Sequence, residues 1–293
     1  MYKRQLIHHG VEKIFGIPGG AILPLYGTLS EYPELDHILV RHEQGASHAA
    51  DGFSRITGKT GVCFATSGPG ATNLITGMAT AMMDSSPMIA ITGQVSRPGI
   101  GKDSFQEIDI TGASLPVTKH NYLVMNADEI PRVLKEAFII ANTGRPGPVL
   151  IDIPRDVFTE EFDFDNKFWD EEIKILGYNP PKFADNPKID KALKLIEESK
   201  KPVILAGHGI IISKAYDELL ELAESAQIPV ITTLLGISSF PENHVLSLSF
   251  PGMHGVAWAS LALDQADLVI AIGSRFDDRI TCLLYTSPSP RDY

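Results

Sequence analysis

The run RHEQGASHAADG, from Arg41 to Gly52, decides how the first part of this chain folds. The residues before it, DHILV (36–40), are predicted to form a buried strand, and GASHAADGFSRITG (45–58) has small and apolar residues at helical spacing. This pattern places Glu43 in a strand-to-helix turn. A carboxylate there either complements the helix dipole or belongs to a site, because α/β folds build their sites at the carboxyl ends of strands.

Three further loops favour a site. The loops IPGGAILP (17–24), TSGPGATN (66–73) and GQVSRPGIGKDSFQE (93–107) each follow a predicted strand, as Glu43 does. Such loops on one parallel sheet converge on the same edge. The sequence therefore predicts that these loops and Glu43 meet.

Strands alternate with helices along the chain, which predicts an α/β fold with parallel sheets covered on both faces. The first domain is predicted over residues 6–158, followed by an acidic linker rich in turn formers over residues 159–187. Residues 188–281 are predicted to form a second, Rossmann-like parallel sheet that is incomplete. Residues 282–293 have neither helical nor strand period, and we expect this tail to be non-native.

Composition excludes several classes of protein. The chain has 293 residues, of which 44% are hydrophobic and 21% charged, as in globular proteins. Its net charge of −11 disfavours nucleic acid as a partner. No apolar run reaches the roughly 20 residues of a membrane span, and the two cysteines form no disulfide or zinc motif. We expect a cytoplasmic protein without membrane contact, in which Cys63 is a buried, inert thiol.

The nine histidines do not form a metal motif. His8 and His9 are adjacent, His42 and His48 are six residues apart, and no H-E-x-x-H pattern occurs. We predict no metal site in this chain.

Several longer runs carry a resemblance to one family. They are FGIPGGAILPLY, RHEQGASHAADGFSRITGK, TSGPGATN, IGKDSFQE, GRPGPVLIDIP, FPGMHG and GSRFDDRIT, and the resemblance spans about residues 10–281. Together they resemble the catalytic large subunits of acetolactate synthases, also called acetohydroxyacid synthases, which depend on thiamine diphosphate. The resemblance implies a pyrimidine-binding domain followed by a central FAD-binding domain.

The resemblance implies that Glu43 is the catalytic acid bonded to the pyrimidine ring of the cofactor. It further implies that the thiamine diphosphate side of the site contains Gly19, Gly20, Glu43, Gly70, Thr72 and Asn73, and that the substrate channel contains Phe105, Gln106 and Arg155. The residues alone leave simpler roles open, since IPGG could be a tight turn and SGPGATN a helix cap. Glu107 could be a solvated loop charge.

FAD is the second cofactor that the resemblance implies. The matching positions are Arg145, Gly207, His208, Gly209, Thr233, Leu234, Gly252, Met253, His254, Gly273, Ser274, Arg275 and Asp277. Turns after strands present backbone N–H groups to a pyrophosphate, and Arg can pair with it. Taken alone, the AGHG turn (206–209) is equally typical of helix packing. Leu235 stands where the family usually has Gln, which removes one polar contact to the flavin.

The implied reaction joins two 2-keto acids. Pyruvate is decarboxylated and condensed with a second pyruvate or with 2-ketobutyrate, as a step of branched-chain amino-acid biosynthesis. The family binds the diphosphate and Mg²⁺ through a GDG motif in a third domain, and GDG is absent from this chain. We therefore expect the chain to be inactive by itself.

The resemblance implies a homodimer or homotetramer and a small regulatory subunit as partners. The alternatives are another thiamine-diphosphate decarboxylase or carboligase, and a non-catalytic flavin-binding fragment.

Overall fold

The computed structural model describes residues 2–165, 168, 171–181, 183–277 and 280, which form two compact units divided after Pro181. The predicted tail, residues 282–293, lies outside the described residues. Among the helices described, none is long and apolar enough to cross a bilayer.

The first unit is built on six parallel strands in the order β2-β1-β3-β4-β6-β5. The strands are β1 (Lys13–Gly16), β2 (Asp36–Leu39), β3 (Gly61–Ala65), β4 (Met88–Gln94), β5 (His120–Leu123) and β6 (Pro148–Pro154). The α-helices are α1 (Tyr2–His8), α2 (Leu23–Gly27), α3 (Glu43–Thr57), α4 (Pro69–Asn73), α5 (Ile75–Asp84), α6 (Ile110–Ser114) and α7 (Ile130–Asn142). The predicted α/β class is confirmed.

The central strands are buried on both faces. In β3, Val62 and Phe64 lie in one core cluster with residues of α1 and α7, whereas Cys63 and Ala65 lie in another with residues of α3 and α5. Successive side chains of a strand point to opposite faces, so a sheet covered on both sides needs an unbroken apolar run. This is why GVCFA contains no polar residue.

Helix α3 lies close to its neighbours because small residues form its buried face. A Cβ atom at Gly61 of β3 would lie 2.1 Å from the carbonyl oxygen of Ala50. A Cβ atom at Gly77 of α5 would lie 2.1 Å from Oγ of Ser47. These two glycines fix the position of α3 against the sheet and α5.

The prediction that DHILV is a buried strand is wrong. β2 forms at the predicted place, but it is an edge strand, and Leu39 is 65% exposed. Apolar content alone does not distinguish an edge strand from a central one, because strand order depends on the rest of the sheet.

Two local features do not follow from a simple apolar period. The segment from Ala71 to Asp84 belongs to two helices, α4 and α5, which meet at Leu74. Strand β5 lies at the other edge of the sheet, and its sequence HNYL has no apolar run that would indicate a strand.

Part of the predicted linker packs on the first unit. Phe162, Ile175 and Tyr178 are partly buried against its core. The Tyr178 hydroxyl lies 3.0 Å from Oγ1 of Thr143 and accepts a hydrogen bond of 3.1 Å from Nζ of Lys119. Phe162, Ile175 and Tyr178 of the predicted linker therefore belong to the first unit.

The second unit contains a parallel sheet of three strands in the order β8-β7-β9. Its strands are β7 (Pro202–Ala206), β8 (Val230–Thr232) and β9 (Leu268–Ile272), and its helices are α8 (Asn186–Glu198), α9 (His208–Ser213), α10 (Tyr216–Ala226) and α11 (Ala257–Gln265). Buried aliphatic residues cover both faces of this sheet. The predicted second parallel sheet is thus present.

Candidate functional site

Glu43 is the first residue of α3 rather than part of a longer turn. The preceding residue, His42, has an extended backbone (φ −158°, ψ 139°), and its Nδ1 accepts a hydrogen bond of 3.1 Å from the amide of Gln44. His42 therefore caps the helix, and three residues separate Glu43 from the end of β2.

The Glu43 carboxylate is half-buried and held at one oxygen. Its Oε2 accepts a hydrogen bond of 2.9 Å from Nδ2 of Asn73, the last residue of α4. Its Oε1 would lie 3.4 Å from a Cβ atom at Gly70. Among the described residues, none donates a hydrogen bond to Oε1. One oxygen is thus fixed by the protein, and the other can bond a ligand.

Thr66, the residue after β3, joins the first two loops. Its Oγ1 accepts a hydrogen bond of 3.2 Å from the amide of Ala21. Cβ atoms at Gly19 and Gly70 would lie 2.5 and 2.7 Å from the Thr66 side chain, whereas a Cβ at Gly20 would have nothing within 4 Å. Gly19 and Gly70 are therefore required by close packing around Thr66, but Gly20 is not.

The third loop reaches the same place through Gln106. Gly68 has φ +58°, and a Cβ atom there would lie 2.6 Å from the carbonyl oxygen of Gln106. Gln106 itself has φ +58°, a conformation that costs energy for a residue other than glycine. The side chain of Phe105 is 87% exposed. The predicted convergence of the loops with Glu43 is present in the structure.

Glu107 is not simply a solvated charge. Its carboxylate accepts hydrogen bonds from the amides of Gly101 and Ser104, and these lower the pKa of Glu107. Glu107 therefore holds the loop that presents Gln106.

Two other predicted residues make backbone contacts. The amide of Arg155 donates to the carbonyl oxygen of Gln94 at 3.0 Å, and its side chain is exposed. The hydroxyl of Thr72 donates to the carbonyl oxygen of Pro69 at 3.2 Å, within its own helix. These contacts place both residues near the carboxyl edge of the sheet without showing a ligand role.

Tyr26 lies beside the site and was not predicted from sequence. Its hydroxyl is 3.2 Å from Nε2 of His37, and a Cβ atom at Gly16 would lie 2.5 Å from that hydroxyl. Burial raises the pKa of Tyr26, and the nearby Glu43 carboxylate adds to the shift. Tyr26 is therefore a neutral hydroxyl in this environment. Burial also raises the pKa of the Cys63 thiol to about 12, which agrees with the predicted inert thiol.

In the second unit, the turns after β7 and β9 approach each other through glycine. The amide of Gly209 donates to the carbonyl oxygen of Gly273 at 2.9 Å. A Cβ atom at Gly207 would lie 2.3 Å from that same oxygen. The turn after β8 joins them, since the amide of Thr233 donates to the carbonyl oxygen of Ala206 at 2.9 Å. The predicted flavin residues Gly207, Gly209, Thr233 and Gly273 thus lie along one edge of the second sheet.

Two polar atoms at this edge have no partner among the described residues. They are Nδ1 of His208 and Oγ of Ser274, and both are buried. A buried polar atom without a hydrogen bond costs free energy, so these two atoms are chemically suited to bond a polar ligand. Three of the remaining predicted flavin residues have exposed side chains, namely Leu234 (67%), Met253 (64%) and His254. The Gly252 amide donates a hydrogen bond of 3.2 Å to Oγ of Ser260. The guanidinium of Arg275 forms an ion pair of 3.1 Å with the carboxylate of Asp277.

Arg145 belongs to the first unit and has partners of its own there. Its guanidinium donates to Oγ of Ser85 and to the carbonyl oxygens of Met82 and Met83, each at 2.8 Å. These groups are at the carboxyl end of α5, just before β4 begins. Arg145 therefore stabilises the end of a helix, at the sheet edge opposite Glu43.

Metal ligands do not cluster in the part of the chain that is described. No group of three or more His, Cys, Asp or Glu side chains there could hold an ion. The predicted absence of a metal site in this chain stays a prediction.

Comparison with known proteins gives the family. Residues 3–113 match the thiamine pyrophosphate enzyme N-terminal TPP binding domain, and residues 189–292 match the thiamine pyrophosphate enzyme central domain. Thiamine pyrophosphate is another name for thiamine diphosphate. The chain belongs to the thiamine pyrophosphate enzymes.

Individual similar proteins indicate a narrower group within this family. The chain is 53% identical over 278 residues to the acetolactate synthase large subunit of Corynebacterium glutamicum, and the alignment covers 95% of this chain and 44% of that protein. It is 55% identical over 278 residues to the probable acetolactate synthase large subunit of Methanocaldococcus jannaschii, covering 95% of this chain and 47% of that protein. The chain thus spans less than half the length of these relatives.

The family expected from the sequence motifs is confirmed, whereas the residue roles stay predictions. The structure places two further residues of this thiamine pyrophosphate enzyme chain at the site, Thr66 and Tyr26, which were not predicted from sequence to be site residues. Thr66 had a signal, because it follows a buried strand directly. Tyr26 had none, because a single aromatic residue in a short helix is more typical of core packing.

Proposed function

We propose that this chain provides the pyrimidine-binding and central parts of an acetolactate synthase. The proposed reaction decarboxylates pyruvate and condenses the product with pyruvate or 2-ketobutyrate, in branched-chain amino-acid biosynthesis. The observation that carries the proposal is the Glu43 carboxylate, with Oε2 held by Asn73 and Oε1 beside Gly70, where no described residue donates to it. The 53% identity to an acetolactate synthase large subunit supports the choice of reaction.

The residues of this site fit the cofactor. Thiamine diphosphate, when bound, supplies a ring carbon that acts as a nucleophile toward the keto acid. Glu43 would hold a proton at Oε1, facing a ring nitrogen of the pyrimidine. Asn73 orients the carboxylate through Oε2, so that Oε1 keeps a single direction. Gly19 and Gly70 let their loops pack directly against Thr66, and the carbonyl oxygen of Gln106 packs against Gly68, which begins the turn into α4.

FAD and Mg²⁺ belong to the proposal as well. The buried Nδ1 of His208 and Oγ of Ser274, beside the crowded Gly207 and Gly273, fit a polar cofactor such as FAD. We assign Mg²⁺ and the diphosphate to the third domain that the resemblance implies for the full-length enzyme. We also propose a homodimer or homotetramer with a small regulatory subunit, 2-keto acids as substrates, and a cytoplasmic location.

A chimera tests the proposed reaction. Residues of this chain replace the matching segment of the Corynebacterium glutamicum large subunit, and acetolactate formed from pyruvate is measured with thiamine diphosphate, Mg²⁺ and FAD. We expect activity that Glu43→Gln lowers about 100-fold or more, because a positioned acid contributes 10²–10⁴. The control Glu34→Gln changes an exposed carboxylate outside the site and should leave the rate unchanged.

Three results would argue against the proposal. Equal rates for Glu43→Gln and the unchanged chimera would remove Glu43 from the mechanism. Acetaldehyde without acetolactate would point to another thiamine-diphosphate decarboxylase. A folded chimera that retains flavin and consumes no pyruvate would support a non-catalytic flavin-binding role.

A further inference from the structure

A buried carboxylate of β6, the strand between β4 and the edge strand β5, has no role in the proposed mechanism. Asp152 of β6 is 1% exposed, and its Oδ1 and Oδ2 accept hydrogen bonds from Oγ1 of Thr92 at 2.7 Å and Nε2 of Gln94 at 2.9 Å. Burial raises its pKa to about 7, partly offset by these two bonds, and the charge of Asp109 also raises it. Burying a carboxylate costs free energy. Because this burial is costly, the partners that Asp152 holds by hydrogen bonds indicate its role.

Gln94 uses every polar group of its side chain. Besides bonding Asp152, its Nε2 donates to the carbonyl oxygen of Ile108 at 2.8 Å. Its Oε1 accepts from the amide of Val95 at 2.9 Å. One amide group therefore ties the first residue of the loop 95–108 to the last, and Asp152 fixes the orientation of that amide. Gln94 is 5% exposed, so water does not readily substitute for these bonds.

The loop that is closed in this way presents Gln106 to the site. The carbonyl oxygen of Gln106 lies so close to Gly68 that a Cβ atom there would be at 2.6 Å. Gly68 begins the turn into α4, which carries Gly70 and Asn73, the two residues next to the Glu43 carboxylate. Gln106 keeps an unfavourable backbone conformation (φ +58°), and such a residue persists only when its surroundings hold it.

We propose that Asp152 and Gln94 are positioning residues that clamp the loop 95–108 and so set the place of Gln106 beside Glu43. Neither residue contacts the proposed ligand side of Glu43. The clamp is a property of the fold, whereas its consequence for catalysis rests on the proposed function.

Amide hydrogen exchange of the whole chain tests the clamp without any cofactor. The reporters are the amides of Gly101, Ser104 and Glu107, which donate hydrogen bonds within the loop. In Gln94→Met, which has a similar shape but no N–H group, we expect these amides to exchange at least about tenfold faster. Amides of β3 and α7 should keep their rates.

A conservative variant and a matched control separate positioning from general destabilisation. The Asn side chain in Asp152→Asn can still accept a hydrogen bond from Gln94. The loop amides of this variant should therefore exchange at rates within about twofold of those in the unchanged chain. Glu136→Gln alters another nearly buried carboxylate, bonded to Tyr122 and Arg132, and should leave the loop unchanged. If Gln94→Met does not fold, Thr92→Val removes one donor to Asp152 and should accelerate the loop to a smaller extent.

Two outcomes would overturn the inference. In the first, the loop amides keep their rates in folded Gln94→Met or, where that variant does not fold, in Thr92→Val. In the second, exchange accelerates equally in the loop, β3 and α7, which would make the pair ordinary core residues. An inactive chimera with normal loop protection would instead refute the proposed function and leave the clamp intact.

Discussion

Two adjacent glycines in the turn after β1 differ in what surrounds them. A Cβ atom at Gly19 would lie 2.5 Å from Cβ of Thr66, a short branched side chain that cannot move away. The same atom at Gly20 would meet nothing within 4 Å, and Gly20 does not have a positive φ. Sequence alone treats the two as one motif, whereas packing around Thr66 makes only the first indispensable.

This difference predicts opposite results for two substitutions. Gly19→Ala should lower the free energy of unfolding by about 1–3 kcal/mol, because it overpacks the site. Gly20→Ala is the matched control, and it should leave stability unchanged or raise it by up to about 1 kcal/mol, since it restricts the unfolded chain. Urea denaturation of the purified chain measures both. Equal losses in the two variants would show that the close approach to Thr66 is not what requires glycine.

At the scale of elements, strand β6 carries a charge that opposes folding. The Asp152 carboxyl has its pKa raised to about 7 by burial, whereas an Asp in an unfolded chain titrates near 3.9. Between these values the folded state binds the extra proton. Stability from this group is therefore present at low pH and is lost as pH rises toward 7 and above.

The expected consequence is a change in the pH profile of stability. Relative to Asp152→Asn, the unchanged chain should lose about 1–3 kcal/mol of unfolding free energy between pH 5 and pH 8. Denaturant titrations at several pH values give both profiles, and their difference cancels groups that titrate in both proteins. Two parallel profiles would mean that Asp152 does not take up a proton in this range.

At the scale of the whole molecule, the boundary of the first unit lies beyond the one predicted from sequence. The predicted domain ends at residue 158, but Phe162, Ile175 and Tyr178 pack on the core of the first unit. Tyr178 also contacts Lys119 and Thr143. These contacts place residues up to Pro181 in the first compact unit.

Three truncated chains test this boundary. Residues 1–181 should unfold cooperatively and be more stable than residues 1–159 by about 2–4 kcal/mol, because the shorter chain loses the packing of three large side chains and two hydrogen bonds. Residues 1–187, which end where the predicted linker ends, serve as the control and should match residues 1–181. Equal melting of all three chains would mean that the packed segment adds nothing to the unit.

The sequence by itself determined most of the strands and helices, and it determined the family. The strand and helix periods, the glycine-rich loops after strands and the place of Glu43 depend on residues that are close in the chain, so local patterns reveal them. For the same reason the motifs identified the thiamine pyrophosphate family. The convergence of the loops followed from one general rule, that parallel strands end at a common edge.

Only the tertiary structure decided which side chains meet. Glu43 and Asn73 are 30 residues apart, and Gln94 and Asp152 are 58 apart, so no local pattern indicates either pair. The exposure of β2, the packing of Phe162, Ile175 and Tyr178, and the contacts of Arg145 likewise depend on the order of strands in the sheet. That order is set by burial of the whole apolar surface at once, which is a property of the complete fold rather than of any one segment.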